Sequence, residues 1–260
     1  MTMQKSICTY GFIPVRKDGS ERAEMVTQLL FGDTFDIVEK QDDWTHVRVH
    51  HDNYEGWVNS KLVVKLLDKE VNNWINAEKW IVPAPFIKIV SEPDKTAHIL
   101  SGGSSIYFNE SDRNSFTIGN KEYYLSGNHS STKPAGSIAD NACAFINTPY
   151  LWGGRSFYGI DCSGLTQVVY RIAGFNLPRD ASQQVQLGSI VNFVEEAALG
   201  DLAFFDNEEG AITHVGLCLG RGEIIHASGR VRIDKLDHLG IFDEETKSYS
   251  HKLRVIKRVL

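Results

Sequence analysis

Cys162 stands in the run Gly159-Ile160-Asp161-Cys162-Ser163-Gly164, directly before a stretch in which Leu165, Val168, Val169 and Ile172 recur at helical spacing. The thiol is therefore expected at a helix N-terminus. There, backbone N–H groups and the positive end of the dipole favour the thiolate and can draw a cysteine pKa from about 8.5 to roughly 3.5–7.5. The same N–H groups can stabilise an oxyanion. The plain alternative is a small residue in a turn. A base is supplied further along. In 213–219, Val215, Leu217 and Leu219 alternate on one face of a strand, which sends His214 to the other face with Gly216 and Cys218. Gly220-Arg221-Gly222 reads as a turn, after which 223–227 returns with His226. A hairpin centred near Gly220 predicts His214 directly opposite His226, with Cα atoms about 4.5–5.5 Å apart. The other histidines, including the His50-His51 pair, read as surface residues. Such a set can perform nucleophilic acyl transfer: Cys162 attacks a carbonyl, His214 takes the thiol proton and later gives it to the leaving amine, and His226 orients His214. Zinc held by Cys162, His214 and His226 is the rival. No ligand pair has the short spacing of common zinc sites, so neither a metal nor any other cofactor is expected.

These residues need elements to hold them. The 260 residues exceed one ordinary domain and suffice for two or three small cores. With 23% charged and 42% hydrophobic residues, disorder and fibrous repeats are excluded. Lys plus Arg number 27 against 33 Asp plus Glu, a net charge of −6 shared about equally by the two halves. No basic patch suits a phosphate backbone, so nucleic acid is not expected as a partner. No run of roughly 18 apolar residues offers a membrane span, and the opening residues lack the apolar core of a secretory signal. A cytoplasmic location is expected, or a periplasmic or extracellular one if a leader has been removed. The cysteines Cys8, Cys143, Cys162 and Cys218 form no CxxC pair and imply no disulfide scaffold.

Short strands punctuated by turn residues fill 11–66, at 25–31, 34–38, 44–49 and 56–58, and predict a small all-β barrel occupying residues 1–67. Residues 68–80, with Val71, Trp74, Ile75 and Glu78 at helical spacing, read as a linker or short helix. A second β-rich stretch over 81–133 is expected to form another such barrel. The polar run 126–136 marks a boundary, and Ser137 with Asp140 has the spacing of a helix start. Helices followed by antiparallel strands at 201–205, 213–219 and 223–227 predict an α+β domain over 137–260.

Two resemblances can be set beside this reading. The string DTFDIVEKQDDWTHVRV, followed by YEGWVNSKLV, resembles a bacterial SH3-like domain. The blocks Tyr150-Leu151-Trp152-Gly153-Gly154, Asp161-Cys162-Ser163-Gly164-Leu165, Leu177-Pro178-Arg179-Asp180-Ala181-Ser182-Gln183-Gln184, Gly200-Asp201-Leu202-Ala203-Phe204-Phe205, Thr213-His214-Val215-Gly216 and Ile225-His226-Ala227-Ser228 resemble, in order and spacing, the NlpC/P60 cysteine peptidases. That resemblance implies a multi-domain protein, with small all-β SH3-like barrels followed by a papain-like α+β catalytic domain. It implies Cys162 as nucleophile, His214 as base and His226 as the orienting third residue.

The combination resembles the γ-D-glutamyl-L-diamino-acid endopeptidase branch. In that branch a tyrosine before Gly-Trp reaches the active site, here Tyr54. The acids of the cysteine and Arg-Asp blocks, here Asp161 and Asp180, hold a free amine, and Ser163 adds a hydroxyl. Buried carboxylates suit an ammonium, although Asp161, Asp180 and Ser163 also stand where helix caps stand. Ala181 occupies a position where some relatives carry serine, and Glu24 does not align cleanly with the acid some relatives supply from the first barrel. The activity implied is hydrolysis of the γ-D-Glu to diamino-acid bond of murein peptides bearing a free N-terminal L-Ala, a peptide-recycling step with the small peptide as partner. The alternative is a wall-binding SH3-like protein acting on intact peptidoglycan as hydrolase or amidase.

Overall fold

The structure is a computed structural model that describes residues 4–109, 112–127 and 137–260. Most of the expected boundary at 126–136 lies outside the described residues. Two compact units emerge: Met1–Ala135 with Gly153–Phe157, and Gly136–Trp152 with Tyr158–Leu260.

The first unit opens with β1 (Lys5–Ile7), β2 (Phe12–Arg16), β3 (Met25–Leu30), β4 (Thr34–Gln41), β5 (Trp44–Val49) and β6 (Glu55–Asn59), joined in one antiparallel sheet in the order β1-β4-β5-β6-β2-β3. Alternation decides which side is buried: Thr45, Val47 and Val49 of β5 point inward, and Ile13 and Val15 of β2 join Phe35 and Val58 in the core. Residues 68–80 resolve in favour of a helix, α1 (Asp68–Asn76), because Val71 and Trp74 are buried and the Trp74 indole donates to the Gly32 carbonyl at 3.0 Å. Gly32 has φ +81°, and a Cβ there would lie 2.0 Å from the Ser105 carbonyl oxygen, so no other residue fits.

The remaining strands of this stretch are β7 (Trp80–Ile81), β8 (Phe86–Glu92), β9 (Thr96–Ser101), β10 (Ser105–Ile106), β11 (Ser115–Ile118) and β12 (Lys121–Ser126). They form a four-stranded sheet, β11-β12-β8-β9, and a β10-β7 ladder. An aromatic core holds them to α1, with Phe31 edge-on to both Phe116 and Tyr123, and Phe116 stacked on Tyr123. The segment Gly153–Phe157, which contains β13 (Arg155–Ser156), belongs to this unit. Arg155 is fully buried here. Its backbone N–H donates to Gln28 Oε1 (2.8 Å), and its guanidinium donates to the Gln28 carbonyl (2.8 Å) and to His51 Nε2 (3.1 Å) and meets Asp33 at 3.4 Å. His51 is thus part of a packed polar cluster. Its neighbour His50 bonds Thr34 (2.9 Å) and Asp36 (3.0 Å). The expectation that this pair is simply exposed is corrected: both rings have partners on β4 or beside it.

The second unit contains α2 (Ile138–Cys143), β14 (Gly159–Ile160), α3 (Cys162–Ile172) and α4 (Ala181–Gln184). Its strands are β15 (Ser189–Val191), β16 (Leu202–Asp206), β17 (Ile212–Gly220), β18 (Glu223–Ser228), β19 (Arg230–Leu236), β20 (Gly240–Asp243) and β21 (Ser248–Arg258). The sheet order is β15-β21-β16-β17-β18-β19-β20, and β21 also pairs with β20, so the long last strand curls the sheet back on itself. Ser137 and Asp140 form the expected cap on α2. Every residue of α3 is buried, as suits a helix packed on all sides in a core.

Candidate active site

Cys162 opens α3, and Asp161 is the N-cap, its carboxylate accepting from Gly164 N–H at 2.7 Å. The thiol is 7% exposed, and its sulfur meets the backbone N–H groups of Ser163 and of Val215, the residue after His214. That contact brings the head of the helix to the strand carrying the base. Position at the helix start does not, however, give a low thiol pKa. Burial first, and the Asp161 carboxylate second, push Cys162 up to about 11, against the pull of those two N–H groups and of Arg179. Burial likewise raises Cys8, Cys143 and Cys218, so geometry, not acidity, distinguishes Cys162.

The β17–β18 hairpin does not pair as expected. His226 lies opposite Gly216, not His214, because the turn is a two-residue Arg221-Gly222 loop with both φ positive (55° and 70°) and a bulge intervenes between Cys218 and Gly220. The imidazoles still meet: His214 Nε2 and His226 Nδ1 are 2.8 Å apart. Gly216 makes this diagonal possible. A Cβ at that position would lie 2.6 Å from the Ile224 side chain and 3.0 Å from His226 Cβ, and its absence leaves room for the rings on that face.

His226 Nε2 lies 2.9 Å from Asp234 Oδ2 on β19. Burial opposes ionisation of Asp234, but the bonds from His226 and Arg232 outweigh it and hold the carboxyl below its usual range. An ionised Asp234 only accepts, so His226 carries its proton on Nε2 and its lone pair on Nδ1. His214 then donates from Nε2, and its Nδ1 holds the lone pair of a base. His214 is buried, and burial first, then the neighbouring His251 and His226, hold its pKa well below 6.5.

Asp234 and His251 were not among the residues expected at the site. His251 on β21, expected at the surface, stacks on His214 with centroids 4.0 Å apart and planes 22° from parallel. Nitrogens of His214, His226 and His251 lie within 4.8 Å of one another, a spacing that three metal ligands could share. Near-parallel rings send their in-plane lone pairs side by side instead of toward one point, and His214 and His226 already bond each other. The trio fits a hydrogen-bonded stack better than a metal centre.

Asp161 and Ser163 come together with a third residue, Arg179. Its guanidinium, 2% exposed, donates to both Asp161 oxygens (3.1 and 2.5 Å) and to Ser163 Oγ (2.8 Å). Asp161 therefore has a countercharge within the chain itself. Asp180, half-buried, caps α4, where Gln183 accepts from its backbone N–H at 3.2 Å. Gln184 ties α4 to the first turn of α3 by donating to the Ser163 carbonyl (3.1 Å) and accepting from Thr166 (2.8 Å). Tyr150 stands in the field of Cys162 and Asp161: burial and those two groups push its phenol up to about 12. Tyr54 precedes β6 in the first unit, where its N–H donates to Asp52 at 3.1 Å.

Residues 147–249 match the NlpC/P60 family, and residues 15–62 match the bacterial dipeptidyl-peptidase SH3 domain. The chain is 30% identical over 239 residues to the dipeptidyl-peptidase 6 of Lysinibacillus sphaericus, covering 83% of this chain and 85% of that one. It is 30% identical over 219 residues to the gamma-D-glutamyl-L-lysine dipeptidyl-peptidase of Bacillus subtilis, covering 77% and 71%. A crystal structure of an NlpC/P60 family protein from Bacillus cereus superposes with a TM-score of 0.79 at 22% identity, over 99% of this chain and 100% of that one. Sequence likeness over most of both chains, joined to a shared fold, places a bacterial SH3-like domain ahead of a peptidase domain, and the chain belongs to the NlpC/P60 family.

Proposed function

We propose that this peptidase is a cysteine endopeptidase that hydrolyses the γ-D-Glu to diamino-acid bond of murein peptides carrying a free N-terminal L-Ala. The observation that carries the reading is the relay from Asp234 through His226 to His214, joined to a buried thiol at the head of α3 whose sulfur meets the backbone N–H of Val215, the residue after His214. Cys162 Sγ attacks the γ-carbonyl of D-Glu while His214 Nδ1 takes the thiol proton. First-turn N–H groups of α3 favour the oxyanion. His214 then protonates the departing amine of the diamino acid, leaving a thioester. Water, deprotonated by His214, attacks that thioester and restores the thiol.

Names borne by relatives support the substrate class, since those proteins are called γ-D-glutamyl-L-lysine dipeptidyl-peptidases. Free-amine selection is assigned to Asp161, Ser163, Asp180 and Tyr54. Because Arg179 already answers Asp161, selection against a blocked amine rests on Asp180 and Tyr54. Loss of a charge-assisted contact costs about 1.5–3 kcal/mol, or roughly one to two decades in kcat/KM.

The test is mass-spectrometric digestion of L-Ala-γ-D-Glu-diaminopimelate, its lysine analogue, their N-acetyl forms and intact sacculi. The free peptides are expected to be cut after D-Glu at least tens of times faster than the acetylated peptides or the wall, with the preference weakened in Tyr54→Phe. Equal kcat/KM on free and acetylated peptide would refute amine selection, and full activity in Cys162→Ala would refute the mechanism.

A further inference from the structure

His214 needs more than its hydrogen bond to act as a base. The bond to His226 is made at Nε2, which lies nearer than Nδ1 to the axis about which an imidazole ring turns on its Cβ–Cγ bond, so it limits that rotation only in part. Nδ1 lies off the axis and swings with the ring. This terminal torsion is intrinsically broad. A tilt of about 30° carries Nδ1 by roughly half an ångström, the tolerance within which a catalytic group must be held. Contact with the ring face limits that swing further, and one face is covered by His251, stacked at 4.0 Å and 22°. His251 is itself held. Its Nδ1 lies 2.9 Å from Ser250 Oγ, and Phe205 of β16 packs against both rings, 5.7 Å from His214 and 5.9 Å from His251. Residue 251 falls beyond the stretch 147–249 that matches the family.

We propose that His251 is a positioning residue for the base: its ring fixes the plane of His214 so that Nε2 stays on His226 while Nδ1 is presented to the Cys162 thiol. This rests on the cysteine-peptidase reading above. His251 acts through His214 and touches neither nucleophile nor substrate in this scheme. A phenyl ring can replace it as a platform, whereas a methyl group cannot.

The experiment compares His251→Ala and His251→Phe with the wild type on L-Ala-γ-D-Glu-diaminopimelate. His251→Ala should lose about tenfold or more in kcat with KM within about twofold, and His251→Phe should recover kcat to within about threefold of wild type. A second readout needs no turnover: titration of the His214 ring by NMR in a Cys162→Ala background. Both variants remove a chargeable ring from the face of His214 and should move its titration upward toward 6.5. The other titratable groups around the stack, His226 on β18 and Asp234 on β19, are unchanged. Wild-type kcat in His251→Ala overturns the proposal, as does a His251→Phe enzyme no better than His251→Ala. An unmoved His214 titration in both variants also overturns it. Turnover by Cys162→Ala with the NMR shift intact would instead overturn the cysteine-peptidase reading and leave the stack standing.

Discussion

A thiol pushed up to about 11 and an imidazole held well below 6.5 make a pair that rests uncharged at neutral pH. Attack then requires His214 to remove the proton as the S–C bond forms, in contrast to a preformed thiolate–imidazolium pair. Two outcomes separate these cases. Alkylation of Cys162 by iodoacetamide should climb about tenfold per pH unit from pH 7 to pH 10, where an ion pair would give a plateau from acid pH onward. The acidic limb of kcat/KM, set by protonation of His214, should lie below pH 6.5; a limb at or above 6.5 would contradict the depressed base. Division of labour along the relay predicts that His214→Gln falls by about 10³-fold or more, while His226→Gln keeps measurable turnover. Equal losses would show that the roles are not separable. At this scale Cys162, His214 and His226 were legible because residue type and local period place them on a helix start and two strands. Asp234, Arg179 and His251 were not, since each reaches the site through tertiary packing that no local pattern announces.

The β17–β18 hairpin shows why elements are easier to read than registers. Both strands follow from alternation, but the pairing is fixed by a two-residue turn and a bulge, and an offset of two residues preserves the face while changing the partner. The histidines meet across that offset only because Gly216 leaves space. Gly216→Ala would set a methyl group 2.6 Å from Ile224 and 3.0 Å from His226. It should lower kcat by about tenfold or more with folding retained, as followed by kcat beside a circular-dichroism melt; unaltered kcat would show that the space is not needed. Helix α3 carries a second lesson. Asp161 caps the helix and also answers a buried Arg179. Asp161→Ala should therefore destabilise the second unit by about 3–5 kcal/mol, the cost typical of stranding one partner of a buried ion pair. Substrate affinity measured on that variant would report folding as much as recognition, and Asp180→Asn is the cleaner probe of the amine site.

For the whole molecule, the buried imidazoles couple chemistry to acid stability. His214 is held well below 6.5, and His251 is brought down to about 4 by burial first and by the neighbouring His226 second. Both rings bind protons more weakly folded than unfolded, so their contribution is complete above pH 6.5 and drains away as the pH falls toward 4. Burial gives His98 in the first unit the same sign. Scanning calorimetry should show the transition of the second unit falling by more than about 4 °C between pH 7 and pH 4.5, and by less in His251→Asn. A Tm flat across that window would contradict buried neutral rings. Among the described residues no helix is long and apolar enough to cross a membrane. The order of the two units along the chain was legible from turn spacing and the helix-then-strand pattern. The membership of Gly153–Phe157 in the first unit was not, because it depends on a buried arginine meeting Gln28 and Asp33 more than a hundred residues earlier.

That arginine has a consequence for synthesis. A ribosome finishes residues 1–135 before Gly153–Phe157 exist, yet Gln28 and Asp33 find Arg155 only in the later segment. Roughly twenty more residues must be added, about one to four seconds at ribosomal speed, before the first unit has all its parts. The unit written first is thus the one that waits, keeping a polar gap for a strand encoded inside the peptidase domain. A chain halted between the two would leave the first unit without its last partner.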